Sequence, residues 1–186
     1  MNIQSVNVYP SMEYYSGLKT KLYYAPASFF LTIDLPTSKN TYQEVVTINN
    51  DIKFKSGSWE SFDILIDENE LKVLLSGASG KKKIKSELSI YILGMRPEIL
   101  GFLSLHSQTP FVFAFIDSNG NNWILGNLRN RAFLQEAEIS SGKKYEDLSG
   151  AAVKISSNSQ LYYYPKSIKE IEIGGFTKGF SIGFKS

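Results

Sequence analysis

The sequence contains no cysteine, and His106 is its only histidine. Without cysteine the chain has no disulfide, no thiolate metal site and no thiol nucleophile. One histidine without cysteine also excludes the usual zinc ligand sets. A catalytic histidine needs an activated nucleophile and an orienting acid, and no Gly-x-Ser-x-Gly signature accompanies it. We therefore interpret His106 as a structural or surface residue and predict no catalytic site.

Long apolar runs, phosphate-binding loops and strong charge are also missing. No run approaches the roughly 18 apolar residues of a membrane-spanning helix, and the first residues have no apolar core of the kind a secretion signal needs. Neither the P-loop nor the dinucleotide fingerprint occurs, so no cofactor is predicted. The net charge of +2 is too small to indicate nucleic-acid binding by itself. These absences favour a cytoplasmic setting without a membrane partner.

Aromatic residues and short strand signals are abundant. The chain has 11 Tyr and 12 Phe, which β-sheets favour. Turn residues separate the strand signals, so we predict one all-β unit over residues 1–186, with an N-terminal arm at 1–16 and a C-terminal extension at 166–186. The predicted strands are "KLYYAP", "SFFLTIDLP", "EVVTI", "IKFK", "SFDILID", "ELKVLLSG", "KKIKSELSIYIL", "FVFAFID", "NWILG", "FLQEAEIS", "GAAVKISS" and "QLYYYP", with two more in the tail.

The most regular patterns lie in the middle of the chain. In "SFDILID", Phe62, Ile64 and Ile66 alternate with polar residues and predict a half-buried strand. "ELKVLLSG" and "KKIKSELSIYIL" predict a long hairpin whose tip carries Lys81, Lys82 and Lys83. Clustered lysines can contact phosphates, although solubility explains them equally well.

One segment, "MRPEILGFLSLHSQTP", breaks the β pattern. Pro97 and Glu98 suit a helix start, and the apolar residues that follow fit a helical stripe. Pro110 ends the segment. We predict one short helix here.

The stretch "FVFAFIDSNGNNWILG" contains Asp117-Ser118-Asn119-Gly120, which looks like part of a calcium loop. An EF-hand loop needs glycine at its sixth position and glutamate at its twelfth, whereas here Gly120 is fourth and Leu128 is twelfth. Asn-Gly is the preferred pair of a two-residue hairpin turn, in which both residues have positive φ. We predict a hairpin. The apolar run before it predicts a strand covered on both faces.

Two further groups of residues invite a functional interpretation. The carboxylates Asp63, Asp67, Glu68 and Glu70 could form a hydrolytic pair, but charges at a strand end more often protect a sheet edge. In "QLYYYP", strand alternation places Tyr162 and Tyr164 on one face and Tyr163 on the other. These tyrosines could stack on sugars, but an interface or core role is favoured.

The order of segments carries a resemblance. "GLKTKLYYAP" comes first, then "VTINNDIKFKSGSWESFDILIDENELKVLLSG" with the basic hairpin, the helix, "FVFAFIDSNGNNWILG", "AEISSGKKYEDLSGAAVKISS" and "LYYYP". Over residues 17–165 this order resembles tail-tube-like virion proteins of phages that infect Bacteroidetes bacteria. The tail beyond Pro165 is not part of the pattern.

The resemblance implies a β-sandwich or partly rolled barrel with long hairpins and one flanking helix. It also implies a virion protein that assembles with copies of itself into a ring, commonly a hexamer, in the tail tube or head–tail connector. Other tail or connector proteins would be partners, and DNA would pass only transiently through a polar or acidic lumen. Lys81, Lys82, Lys83, Tyr162 and Tyr164 are then candidate contacts between copies. The alternative is a non-enzymatic carbohydrate- or protein-binding β-sandwich module.

Overall fold

A computed structural model describes residues 15–37, 40–144 and 146–168. Within these ranges the fold is mainly β, as predicted, and the open sheets form a sandwich rather than a closed barrel. The strands are β1 (Leu18–Pro26), β2 (Phe30–Thr32), β3 (Lys53–Phe54), β4 (Glu60–Asp63), β5 (Glu70–Ser76), β6 (Lys83–Leu93), β7 (Phe111–Asp117), β8 (Asn122–Leu125), β9 (Ala132–Ser140), β10 (Gly150–Ser157) and β11 (Tyr162–Tyr163). The helix α1 (Pro97–His106) connects β6 to β7. Most of the predicted N-terminal arm and C-terminal extension, including the tail strands, lies outside the described residues.

The main sheet folds into two antiparallel layers. The first layer has the order β4-β1-β7-β8-β11, and the second has the order β9-β10-β6-β5. The layers are joined where Phe111 of β7 pairs with Ala132 of β9. Between them lies a core with side chains from both layers, including Leu22, Phe113, Leu88 and Val153.

Strand β7 is buried on both faces, as its continuous apolar run predicts. Phe111, Phe113 and Phe115 point into the core between the layers. Val112 and Ala114 point to the opposite side, into a second core beneath the small sheet of β2 and β3. All five side chains are fully buried, so β7 is the strand on which both cores depend.

The predicted helix is confirmed. Pro97 occupies its first turn, together with the acidic residue Glu98. Ile99 is buried in the core between the layers. The ring of Phe102 packs edge-on against Tyr24 and Phe62, with centroids 5.1 Å and 4.7 Å away. The helix therefore covers one side of the aromatic part of this core.

The strand prediction for "EVVTI", residues 44–48, is wrong. These residues form consecutive turns, and only Thr47 makes a single bridge, to Tyr163. The hydroxyl of Thr41 accepts a hydrogen bond from the Glu44 N–H at 3.1 Å, and the Thr47 hydroxyl donates to the Gln43 carbonyl at 2.8 Å. Such local side-chain bonds compete with strand pairing. Strand β3 pairs with β2 instead.

The face predicted for "SFDILID" is also wrong at its end. Strand β4 stops at Asp63, and Asp67 reverses the chain with φ of 68°. Ile64 is buried, but Ile66 is 55% exposed. Asn69 fixes this turn because its amide donates to the Leu65 carbonyl and its oxygen accepts from the Tyr91 N–H at 3.3 Å.

Residues Asp117–Asn121 form a hairpin turn, but not the two-residue type expected. Gly120 has φ of 85°, whereas Asn119 is not among the residues with positive φ. The Gly120 N–H donates to the Asp117 carbonyl, and the Asp117 N–H donates to the Asn121 carbonyl, each at 3.0 Å. This is a three-residue loop built from a type I turn and a glycine bulge.

The carboxylate of Asp117 holds this turn together. One oxygen accepts from the Asn121 N–H at 2.8 Å. The other accepts from the Asn121 side-chain amide at 3.0 Å and from the Trp123 indole N–H at 2.9 Å. Both carboxylate oxygens are therefore committed to protein donors.

We predict that Asp117→Ala destabilises the fold by about 1–3 kcal/mol, because three donors lose a charged acceptor. Chemical denaturation of the purified variant measures this change. Ser118→Ala, in the same turn, is the control and should stay within about 0.5 kcal/mol of wild type. Equal stability of both variants, or a rise in the wild-type melting temperature with calcium, would contradict this role of Asp117.

A second prediction concerns two glycines in opposite situations. Gly126 lies beside the junction of the layers with φ of +87°, and a Cβ there would meet the Ala132 nitrogen at 2.9 Å. A Cβ on the helical Gly101 meets nothing within 4 Å. Gly126→Ala should therefore cost about 1–3 kcal/mol, whereas Gly101→Ala should add about 0.4–1 kcal/mol. Thermal unfolding of the pair tests this, and a stabilised Gly126→Ala would refute the close approach.

Candidate assembly interface

The second layer presents two free edges. Strand β5 pairs with β6 on one side, and no other described strand pairs with it. Strand β9 pairs with β10, and its other side meets β7 only at Ala132. Edge strands expose unpaired N–H and C=O groups that serve as a template for another strand. Both edges of this layer are therefore open to pairing.

The register of the layer shows which side chains accompany these edges. On β6, Ser86 and Leu88 are buried on the core face. Val73 pairs with Ser86, so the neighbouring Lys72 and Leu74 lie on the outward face. Leu74 is 42% exposed.

The other edge carries a matching pair of residues. On β9, Phe133 pairs with Ser156 and Glu136 with Lys154. Both residues lie on the outward face, because Ile155 between their partners is buried on the core face. Phe133 is 37% exposed. Each edge therefore offers an exposed apolar side chain beside a charged one, with opposite signs on the two edges.

The middle of the outward face is charged and paired. Glu87 lies 2.7 Å from Lys85 and 4.0 Å from Lys154, and its side chain is only 15% exposed. The hydrogen bond from Lys85, with the positive charges of Lys85, Lys154 and Lys72, lowers the pKa of Glu87 below its ordinary value. Beside this network a shallow groove is lined by residues that include Glu68, Tyr91, Glu136, Glu138 and Lys154.

The β5–β6 hairpin extends past the rest of the layer. Strand β10 pairs with β6 only as far as Ser86, while β5 follows β6 up to Lys83. Lys81 and Lys82 lie in the connecting loop and Lys83 begins β6, and all three are exposed. The predicted hairpin and its basic tip are confirmed, and the lysines are available for contacts.

The tyrosines occupy a different position from the one expected of contact residues. Tyr162 and Tyr164 are 7% and 1% exposed, within the core beneath the small sheet. Tyr163 lies on the other face, with its ring 5.7 Å from that of Trp123. The predicted alternation is confirmed, but burial makes Tyr162 and Tyr164 core residues. The expectation that they contact a neighbouring copy is corrected.

The remaining candidate residues have structural partners. The ring of His106 packs edge-on against Phe111 at 5.4 Å, and its Nδ1 lies 3.2 Å from the Thr109 hydroxyl. Asp63 pairs with Lys21 at 3.3 Å, and Glu70 with Lys72 at 2.6 Å. Within the described ranges, no three His, Asp or Glu side chains cluster closely enough to hold a metal ion.

Comparison with protein-family models, curated proteins and solved structures finds no match for this chain. No helix in the described part of the chain is long and apolar enough to span a membrane. The functional argument therefore stands on the geometry of the two edges.

Sequence reasoning missed the most informative residues, which are Leu74 and Phe133. Each lies next to a charged residue on the same face, and that spacing is visible in the sequence. What the sequence did not show is that both strands lie at edges. It also did not show that a bulge on β9 between Leu134 and Glu136 sets their common face.

We predict that Glu87→Gln lowers stability at neutral pH and that its difference from wild type shrinks as the solution is acidified. The folded-state pKa of Glu87 is lowered. Its stabilisation is therefore present above the unfolded-state pKa and lost as pH falls through the folded-state pKa. Urea unfolding over a pH series measures the difference. Glu138→Gln, on the same face, gives the baseline for removing one carboxylate, and a pH-independent Glu87→Gln effect would contradict the ion pairs.

Proposed function

We propose that this protein is a bacteriophage virion structural protein that assembles with copies of itself into a ring of the tail tube or head–tail connector. The observation that carries the proposal is the pair of complementary free edges on one four-stranded layer. In a head-to-tail contact each subunit presents two different patches, and a suitable rotation closes the chain of subunits into a ring. The segment order that resembles tail-tube proteins points the same way.

Strand direction favours pairing between β5 and β9. The four strands alternate in direction across the layer, so β5 and β9 run in opposite senses. Rotation about a ring axis that runs along the strands keeps the sense of every strand. The β5 edge of one copy therefore meets the β9 edge of the next as an antiparallel pair, and the alternation continues around the ring.

One register satisfies both edges at once. When Leu74 of one copy lies opposite Phe133 of the next, Lys72 lies opposite Glu136, because the β9 bulge accommodates Gln135. An apolar pair and an oppositely charged pair then face each other. Cross-strand pairs of these kinds contribute roughly 0.2–1 kcal/mol each. On the core face the same register places Val73 beside Leu134.

The outward face suits the wall of a DNA channel. It combines carboxylates with lysines, many of them paired: Glu70, Glu87, Glu136 and Glu138 with Lys72, Lys85 and Lys154. Phosphate binding draws its affinity from unpaired cations. A wall of paired charges with additional carboxylates would let DNA pass without holding it. Other tail or connector proteins would contact the open faces of the ring.

The alternative, a carbohydrate-binding module, loses the observation that suggested it. A sugar platform needs exposed aromatic rings, whereas Tyr162 and Tyr164 lie in the core. No other feature of the described residues favours that function.

Disulfide trapping tests the ring directly, because the chain has no native cysteine. In the proposed register the Cα atoms of residues 74 and 133 of adjacent copies are about 4.5–5.5 Å apart, within the range that a disulfide spans. We expect Leu74→Cys/Phe133→Cys, after mild oxidation, to give a ladder of covalent oligomers on a denaturing gel. The ladder should end at one closed species with no free thiol.

The single variants are the matched controls. Leu74→Cys alone and Phe133→Cys alone should stay uncrosslinked, because a head-to-tail contact never brings identical residues together. Efficient dimers from Leu74→Cys alone would show symmetric β5–β5 pairing and contradict the proposal. So would a double variant that stays monomeric at high protein concentration.

A charge reversal gives a second test. Glu136→Lys should weaken assembly, because it places two lysines opposite each other across the contact. Adding Lys72→Glu should restore assembly by exchanging the charges. Mass photometry over a dilution series at low salt measures both effects. Equal assembly of Glu136→Lys and wild type would remove Lys72 and Glu136 from the contact.

A further inference from the structure

The projecting part of the β5–β6 hairpin carries an uncovered apolar surface. Val73, Leu75 and Ile84 share the core-facing side, since Val73 pairs with Ser86 and Leu75 with Ile84. Their exposed fractions are 51%, 60% and 37%. We call these three residues the hairpin patch. Leu88, further along the same face, is completely buried, so the face is covered only where the layers overlap.

A second apolar surface lies at the opposite end of the same layer. It consists of Ile66, Leu93, Met95 and Leu148, each at least 45% exposed. The backbone brings these residues together, because the Gly94 N–H donates to the Ser149 carbonyl and the Leu65 N–H donates to the Tyr91 carbonyl, both at 2.8 Å. We call these four residues the base patch. Monomeric soluble proteins seldom leave large contiguous apolar patches exposed.

The charges around the two patches are complementary. The hairpin patch adjoins the tip lysines 81–83, and the segment between Ser76 and Lys85 contains no carboxylate. The loops around the base patch contain more acidic than basic residues: Asp67, Glu68, Glu98, Glu146 and Asp147 against Arg96, Lys143 and Lys144. A basic apolar surface thus lies at one end of the layer and an acidic apolar surface at the other.

We propose that the hairpin patch of one copy binds the base patch of a second copy in the adjoining ring, so that rings stack into a tube. This inference rests on the proposed ring and adds the axial contact to it. Because the two patches lie at opposite ends of one subunit, the contact is head-to-tail along the ring axis. A head-to-tail contact that does not close produces an open-ended stack. The chain is therefore a tube-forming subunit rather than the subunit of a solitary connector ring.

Electron microscopy of disulfide-locked rings tests the stacking contact separately from the ring. In the Leu74→Cys/Phe133→Cys background, we expect oxidised rings to form stacks at high protein concentration and low salt. Adding Leu75→Ser/Ile84→Ser should leave the ladder on denaturing gels unchanged and shorten the mean stack at least tenfold. Leu93→Ser/Leu148→Ser, in the base patch, should have the same effect.

Leu31→Ser is the control, because Leu31 is 57% exposed on β2, on the far side of the first layer. It should leave stack length unchanged. Stacks that persist in either patch variant, or locked wild-type-patch rings that never stack, would overturn the inference. Rings that attach to DNA through the hairpin instead of stacking would also overturn it. None of these results would affect the ring itself, which fails only if the disulfide ladder fails to form.

Discussion

The burial of β7 on both faces is the constraint on which the rest of the fold depends. Phe111, Phe113 and Phe115 fill the core between the layers, while Val112 and Ala114 fill the second core. A strand enclosed on both sides needs partners at both edges, and β1 and β8 supply them. The first layer is thereby covered on both faces, by the second layer on one and by the small sheet on the other.

The second layer is different, because only one of its faces is covered. Its core face packs on the first layer, its outward face is charged, and its two edges are open. Proteins usually protect such edges with inward-pointing charges, prolines or short strands. Here β9 is nine residues long and β5 is seven. Each edge carries an exposed apolar residue, Phe133 or Leu74. Long open edges with matched side chains are what sheet continuation between copies requires.

The same layer also separates two directions of assembly. Its edges point sideways toward neighbouring copies, whereas its ends carry the hairpin patch and the base patch. Lateral contacts would use backbone hydrogen bonds and outward-facing pairs, while axial contacts would use apolar side chains and loop charges. A chain that provides both kinds of contact from one layer needs no catalytic chemistry. Its product is a defined geometry.

Much of the fold could be predicted because its signals are local. The alternation on β6, the unbroken apolar run of β7 and the proline at the start of α1 each depend on neighbouring residues. The Asp117–Asn121 hairpin was recognised for the same reason, although its turn type depends on hydrogen bonds that the dipeptide preference does not include.

The failures have a common physical cause, which is tertiary context. "EVVTI" has strand composition, but local threonine hydrogen bonds hold its chain in turns. Ile66 continues the alternation of β4 beyond the point where Asp67 reverses the chain. Tyr164 becomes a core residue because the small sheet covers it, and no local pattern shows that cover. The candidate interface was missed because the edge position of β5 and β9 follows from the topology of the whole sheet.

The central claim is that one continuous sheet runs around a ring through the contact of β5 with β9. Cryo-electron microscopy of the unmodified, purified protein tests it most directly. We predict a closed ring in which β5 of each copy lies about 4.8 Å from β9 of the next, with the charged face toward a central channel. Isolated subunits at high concentration, or pairs joined β5 to β5, would contradict the claim.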